Sequence, residues 1–293
     1  MHSWRADWEI ADHRYHDAYQ FGSEDDYREI VRTIGADTRH NTDCQLTMIH
    51  WARGRADTAL SFHAQRSLEI ERHGTIFIRG FWLTIGSLFL DWVGDGAALR
   101  ESATRTIALG EEYALPLYNQ LWGPYFLALA TVRLERTAQT LAAFSDAIAR
   151  WQSSGGHGLV PYMKAALAEE SLAFGDAGRA WTLIEESLDQ LYRPGWGEHA
   201  WLPEALRVKA RLLAFDRKID DSAATLREAL TVAERQGGKA WALRAATDLA
   251  ELGLAHGDAG PARDALAPLY RSFAEGFGTR DLKRAAAVLA EAT

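Results

Sequence analysis

The stretch 161–195, PYMKAALAEESLAFGDAGRAWTLIEESLDQLYRPG, decides the fold. Residues 161–174 read as a helix, with Pro161 tolerated in its opening turn. Gly175-Asp-Ala-Gly178 breaks that helix. A second helix, 179–191, places Trp181, Ile184 and Leu188 at spacings of three and four, which makes one apolar stripe. Pro194-Gly195 stops it. The unit is therefore a helical hairpin.

Its landmarks recur to either side. With Gly175 as the origin, the marks are a small residue at plus five (Ala180), another at plus twelve (Ser187), an apolar residue at plus thirteen (Leu188) and Gly195 at plus twenty. From Gly54 the same offsets find Ala59 and Gly74; from Glu135 they find Ala147, Ile148 and Gly155. Arg217 gives Ser222, Ala229, Leu230 and Gly237, and Gly257 gives Ala262 and Tyr270. Gly94 fits more loosely, through Leu99, Thr106 and Ile107. The origins are separated by 40, 41, 40, 42 and 40 residues. So steady a period marks a helical repeat array, and six units exceed the minimum of about three that bury a continuous core. Small residues are needed where two antiparallel helices cross, because larger ones would push the axes beyond about 8–10 Å.

Composition agrees. The 293 residues are 47% hydrophobic and 25% charged, ordinary for a folded protein with a large core. The net charge of −8, with no run of Lys or Arg, disfavours non-specific nucleic-acid binding by this segment. One cysteine, Cys44, excludes an intrachain disulfide and thiol-rich zinc clusters, and points to a reducing compartment. The longest apolar run, Gly80 to Leu90, is short for a bilayer span, so no membrane association is expected. The first residues carry acids and no apolar segment of the secretory kind. A cytoplasmic location is the resulting expectation.

Along the chain, residues 1–40 read as an irregular N-terminal hairpin, with helices over 4–20 and 25–34 joined by Phe21-Gly22-Ser23, where Ser23 and Asp26 have capping-box spacing. Residues 41–293 read as six hairpins: 41–73, 76–113, 118–152 and three beginning near Pro161, Trp201 and Trp241, with a closing helix from Thr279 to Glu291. Ser153-Ser-Gly-Gly-His-Gly158 is the loosest connection. Trp4, Trp8 and Tyr15 make the chain's start apolar, where a solenoid normally has a polar cap. That hairpin is expected to face another domain or to form a homodimer.

The small residues at plus five and plus twelve resemble tetratricopeptide repeats, in the longer-period form found in large bacterial signal-transduction ATPases. The stretches 233–250 (AERQGGKAWALRAATDLA) and 266–283 (LAPLYRSFAEGFGTRDLK) are similar to the C-terminus of a family in which a class III adenylate cyclase or winged-helix domain precedes a STAND-type AAA-like ATPase and a helical array. Pro203 to Leu213 also fits, with Ala210 where the family usually has Gly. The resemblance covers roughly residues 35–293 and is diffuse before 118. It implies an all-α, right-handed α-solenoid of tetratricopeptide-like hairpins that acts as a non-catalytic sensor or scaffold. No phosphate-binding Gly-x-x-x-x-Gly-Lys-Ser/Thr run and no cofactor motif is present in the chain.

By the same resemblance the first helix of each hairpin lines a groove, at about thirteen, ten and six residues before each origin. Those positions are Trp122, Tyr125 and Leu129; Tyr162, Ala165 and Glu169; Glu204, Arg207 and Arg211; and Arg244, Thr247 and Glu251. In the N-terminal repeats they are Phe81, Thr84 and Leu88, and Asn41, Cys44 and Met48. Arginine can grip a carboxylate bidentately, so the expected ligand is a protein or peptide with acidic or C-terminal carboxylate groups, or a small effector. Each position also has a structural reading: Glu204 and Arg207, three apart, can pair along one helix, and Trp122 and Tyr125 can pack between repeats. His13 and His16 have metal-site spacing, but a site needs further ligands, and none is expected. Glu24-Asp25-Asp26 suits a helix start. An α/α-toroid hydrolase is the alternative, using Glu169 with Glu204 or Glu251 as acid and base; its mark would be contact between the first and last hairpins.

Overall fold

Left-handed turns recur through the chain at nearly the period of the small residues. In this computed structural model, which describes residues 5, 7–20, 24–34 and 38–292, φ is positive at Gly54, Gly94, Arg136, Gly175, Arg217 and Gly257. These are the six hairpin origins, with the third displaced by one residue from Glu135. A second series, Ala114, Gly155, Gly195, Gly237 and Gly276, closes the other end of the hairpins. At Gly175 the amide of Asp176 donates to Ser171 O at 3.0 Å and that of Gly175 to Leu172 O at 2.9 Å, a Schellman closure that satisfies the orphan carbonyls of the helix end. The same pair of bonds recurs at Gly94, Arg217, Gly237 and Gly257. Asp176 then caps the next helix by accepting from the Arg179 amide at 3.0 Å.

All regular structure among the described residues is helical. The chain divides into two compact units, one of Met1–Trp8, Ala52–Arg55 and Gln152–Thr293, the other of Glu9–Trp51 and Ala56–Trp151. The division at 151/152 falls beside the Gly-rich 153–158 stretch. The second unit contains α1 (Trp8–Gln20, from its second residue), α2 (Glu24–Ile34), α3 (Thr38–Ala52), α4 (Ala56–His73), α5 (Ile76–Val93), α6 (Gly96–Glu112), α7 (Gly123–Glu135) and α8 (Ala138–Ser153) up to Trp151. The first contains α9 (Val160–Ala173), α10 (Ala177–Leu191), α11 (Leu202–Phe215), α12 (Ile219–Arg235), α13 (Lys239–Ala255), α14 (Ala267–Arg271) and α15 (Arg280–Glu291). π-Helical turns at Leu117–Trp122 and Ala262–Leu266 lead into α7 and α14.

Within each unit, helices pack on their chain neighbours, α5 on α6 and α6 on α7, and in order from α9 to α13. First helices also meet first helices: α5 with α7, α9 with α11, α11 with α13, and α13 with α15. The small residues sit at the crossings. Ala59, Ala147, Ala180, Ser187, Ser222, Ala229 and Ala262 are all buried, and Leu99 is buried at the corresponding position of the looser unit. Ser187 Oγ donates to Pro161 O at 2.8 Å and Ser222 Oγ to Ala210 O at 2.8 Å, so a hydroxyl at the crossing ties the two backbones directly. Buried apolar residues of α13, α15 and the 262–266 turn, among them Leu243, Leu266, Leu282 and Val288, close the C-terminal end.

Two sequence expectations change. The apolar run around 80–90 belongs to an 18-residue helix, α5, long and apolar enough to cross a membrane, but 67% of it is buried inside the protein. Trp8, expected to face another domain or a second copy of the chain, is 1% exposed within this one. Its amide donates to Gln236 O at 3.0 Å, and its indole lies so near Gly238 that a Cβ there would meet Nε1 at 3.2 Å. In the same unit, a Cβ on Gly54 would meet the Phe273 ring at 2.8 Å. Within that one unit, Trp8 and Gly54 thus lie against residues of the last two hairpins. Tyr15 is half-buried, while Trp4, the Phe21-Gly22-Ser23 junction and its capping arrangement lie outside the described residues.

Candidate functional site

Helices α11, α13 and α15 carry charged residues at spacings of three and four, Glu204, Arg207 and Arg211; Arg244, Asp248 and Glu251; Asp281 and Arg284, and α9 adds Glu169. Such spacings put each set on one helix face. Because α11 packs on α9 and α13, and α13 on α15, these faces form one array.

Arg207 is its centre. Its Nε donates to Glu204 Oε2 at 2.9 Å and its Nη1 to Asp248 Oδ2 at 2.9 Å. Its Nη2 donates at 2.7 Å to both Glu169 Oε1 and Glu204 Oε1. Three helices are joined through one guanidinium. Arg211 joins the same two outer helices, donating from Nη1 to Glu169 Oε1 at 2.8 Å and from Nε to Asp248 Oδ2 at 3.0 Å. Arg244 donates to Asp281 Oδ2 at 2.7 Å and lies over the Trp241 ring, 5.0 Å from its centroid. Arg284 donates to Glu251 Oε1 at 2.7 Å and lies 2.7 Å from Asp248 Oδ1. Arg280 completes the set against Asp281 at 3.2 Å.

Five arginines therefore face five carboxylates. Burial opposes ionisation of Asp248, but Arg207, Arg211 and Arg284 outweigh it and hold its pKa down at about 2. The same contest resolves the same way at Asp281, where burial is outweighed by Arg244 and Arg280. At Arg207 burial acts against the charge, and Glu204, Glu169 and Asp248 overcome it, raising the pKa well above the ordinary arginine value. The floor is dry and the rim is open: the Arg207 side chain is 6% exposed, that of Arg211 38%. Arg211 Nη2 has no hydrogen-bond partner among the described residues.

The structure separates the sequence-derived groove residues into classes. Glu169, Glu204, Arg207, Arg211, Arg244 and Glu251 all join the charged array. Tyr162, also on α9, is buried with its ring 5.1 Å from Trp201. Trp122 and Tyr125 belong to the other unit. Trp122 lies 4.0 Å from Trp151 and stacks on Phe126, and Tyr125 is buried edge-on to Phe126. Burial, helped by the Asp91 charge, pushes the Tyr125 phenol well above its usual range. Cys44, Met48, Thr84, Leu88, Leu129, Ala165 and Thr247 are buried core. No group of His, Cys, Asp and Glu suited to a metal ion occurs among the described residues.

Asp248, Arg280, Asp281 and Arg284 were not among the groove positions read from the sequence. Their signal was present as Arg and acid pairs 33, 37 and 41 residues apart, near one repeat. Arg133 and Asp91, 42 apart, tie α7 to α5 in the same way in the other unit. No protein-family model matches the chain, and no curated protein matches it.

Proposed function

We propose that this chain is a non-catalytic binding module, an α-solenoid of tetratricopeptide type whose first helices present a ligand-recognising face. Its partner is a peptide or protein bearing a carboxylate, met in the cytoplasm. Its place is the sensor or scaffold part of a bacterial signalling ATPase, cyclase or transcription regulator. The carrying observation is the charged array of α9, α11, α13 and α15, with its closed floor and open rim. Arg207 and Arg244 are held by carboxylates and serve the floor; Arg211, with an unpaired Nη2, is the residue placed to accept a ligand carboxylate.

The geometry does not favour the hydrolase alternative, although the contacts of Trp8 and Gly54 with the last hairpins are of the kind expected for it. Retaining and inverting glycosidases need the space between their two carboxyl groups for substrate or water. Between Glu169 and Glu204 that space holds the Arg207 guanidinium, at 2.7 Å from each.

The reading is tested with a peptide library displayed with free C-termini, the hits resynthesised as acid and amide. Arg211→Ala should weaken binding of the acid form by about tenfold, the order of one lost charge-assisted pair, and the acid should bind better than the amide. Equal binding of acid and amide, or an Arg211→Ala variant that binds as the parent does, would sink it.

A further inference from the structure

Between α4, α5 and α6 lies a cavity of about 400 Å³, within the range of small-ligand sites. It belongs to the other unit from the charged array, and the inference drawn from it does not rest on the partner-binding reading. Its inner wall is aromatic. The His63 ring stacks on Trp82 with centroids 5.0 Å apart and planes 14° from parallel, and Phe89 lies 5.2 Å from it. Room for the imidazole comes from a glycine in the middle of α5: a Cβ on Gly86 would meet His63 Cε1 at 2.7 Å. A mid-helix glycine costs about 1 kcal/mol relative to alanine, so seating this ring is a built feature. Burial keeps the ring neutral at physiological pH, with a pKa of about 4.

The polar groups of the wall are almost all occupied. Trp82 Nε1 donates to Ser67 Oγ at 2.9 Å, Ser67 donates to His63 O at 2.7 Å, and Ser102 donates to Leu83 O at 3.2 Å. Arg105 pairs with Glu71 at 3.1 Å, and Arg79 Nε donates to Gly74 O at 2.9 Å. Three groups are left: Nδ1 of His63 is buried with no hydrogen-bond partner, and Glu101 and Glu112 have no ion-pair partner among the described residues. The lining carries Arg79 and Arg105 against Glu71, Glu101 and Glu112, an excess of one negative charge.

We propose that this cavity binds a small organic cation: an apolar or aromatic body seated against the Trp82 and Leu83 wall, with a protonated amine directed to Glu101. Apolar walls supply affinity for the body, and the unbalanced carboxylate selects amine over acid.

Tryptamine and indole-3-acetate, which share a body and differ in charge, are the probes, titrated by ligand-observed NMR against the full chain. Tryptamine should saturate at millimolar concentration or below, and indole-3-acetate should bind about tenfold more weakly. Glu101→Gln should abolish that preference. Ala108→Trp, which fills the cavity from the exposed face of α6, should remove binding of both probes; each variant's melting curve confirms that it is folded. Absence of saturable tryptamine binding overturns the proposal. So does equal binding of the two probes by the parent, or binding that survives Ala108→Trp in a folded protein.

Discussion

Asp248→Asn tests whether the buried array is held by ionised carboxylates. Asparagine keeps the shape of the side chain and reports the uncharged state. The Asp248 carboxyl is held down from 3.8 to about 2, burial opposing and three arginines prevailing. At roughly 1–2 kcal/mol per pKa unit, ionisation of this one group contributes about 2–3 kcal/mol to folding at neutral pH. The folded value is the depressed one, so the contribution is complete above the unfolded value of 3.8 and is lost as pH falls through about 2. By linkage, about half of it remains at pH 3. Urea unfolding followed by far-UV circular dichroism, on parent and variant at pH 7 and pH 3, reads the difference. The variant should be less stable by about 2–3 kcal/mol at pH 7 and by about 1 kcal/mol less than that at pH 3. A penalty of equal size at both pH values would refute the reasoning, because it would place the cost in packing and not in charge.

Arg217 and Arg136 hold φ values of 61° and 43°, where L-residues with a Cβ are strained. Changing either to Gly should raise stability by up to about 1 kcal/mol in the same urea assay. Ala180→Leu would force a branched side chain into a fully buried helix crossing and should cost about 1–3 kcal/mol or more, seen as a lower thermal midpoint. At Gly80 a Cβ would meet the Tyr118 ring at 2.4 Å. Gly80→Ala should therefore displace that ring and increase hydrogen exchange of amides in the 117–122 turn, while Gly175→Ala, with nothing within 4 Å, should cost only the left-handed backbone strain of about 1–2 kcal/mol.

The spacing of the left-handed turns was legible because two local requirements leave marks in the chain. A left-handed turn selects Gly at 54, 94, 175 and 257, and a close crossing selects Ala or Ser at plus five and plus twelve. Where the turn is made by Arg136 the mark is missing, and the origin reads one residue early at Glu135. The π-helical turns at 117–122 and 262–266 left no mark either, since one inserted residue changes the register of a helix without changing its composition. Residue types at the charged array were readable, as six of its members sat at groove positions. Their partners were not, because Arg207 meets Asp248 only when α11 and α13 are in register, and register is a property of packing. The same limit concealed the cover over Trp8: the amino acid is visible in the chain, but the Gln236 and Gly238 backbone that encloses it is 228 and 230 positions away.

The ties between first helices also give the hairpins an order. Helix α9 offers Glu169, α11 offers Arg207 and Arg211 with Glu204, α13 answers with Asp248 and sends Arg244 onward, and α15 receives it on Asp281. An apolar seam between repeats would accept any neighbour of similar shape. This one reads its neighbour's sign: excision of residues 202–235 would place α9 beside α13, setting Glu169 against Asp248 and depriving Arg244 of the Glu204 carboxylate that lies 3.8 Å from it. Unmatched charge in a dry interface is costly, so duplication, deletion or shuffling of these repeats carries a penalty that a uniform stack would escape. The array functions as an address, fixing which hairpin follows which.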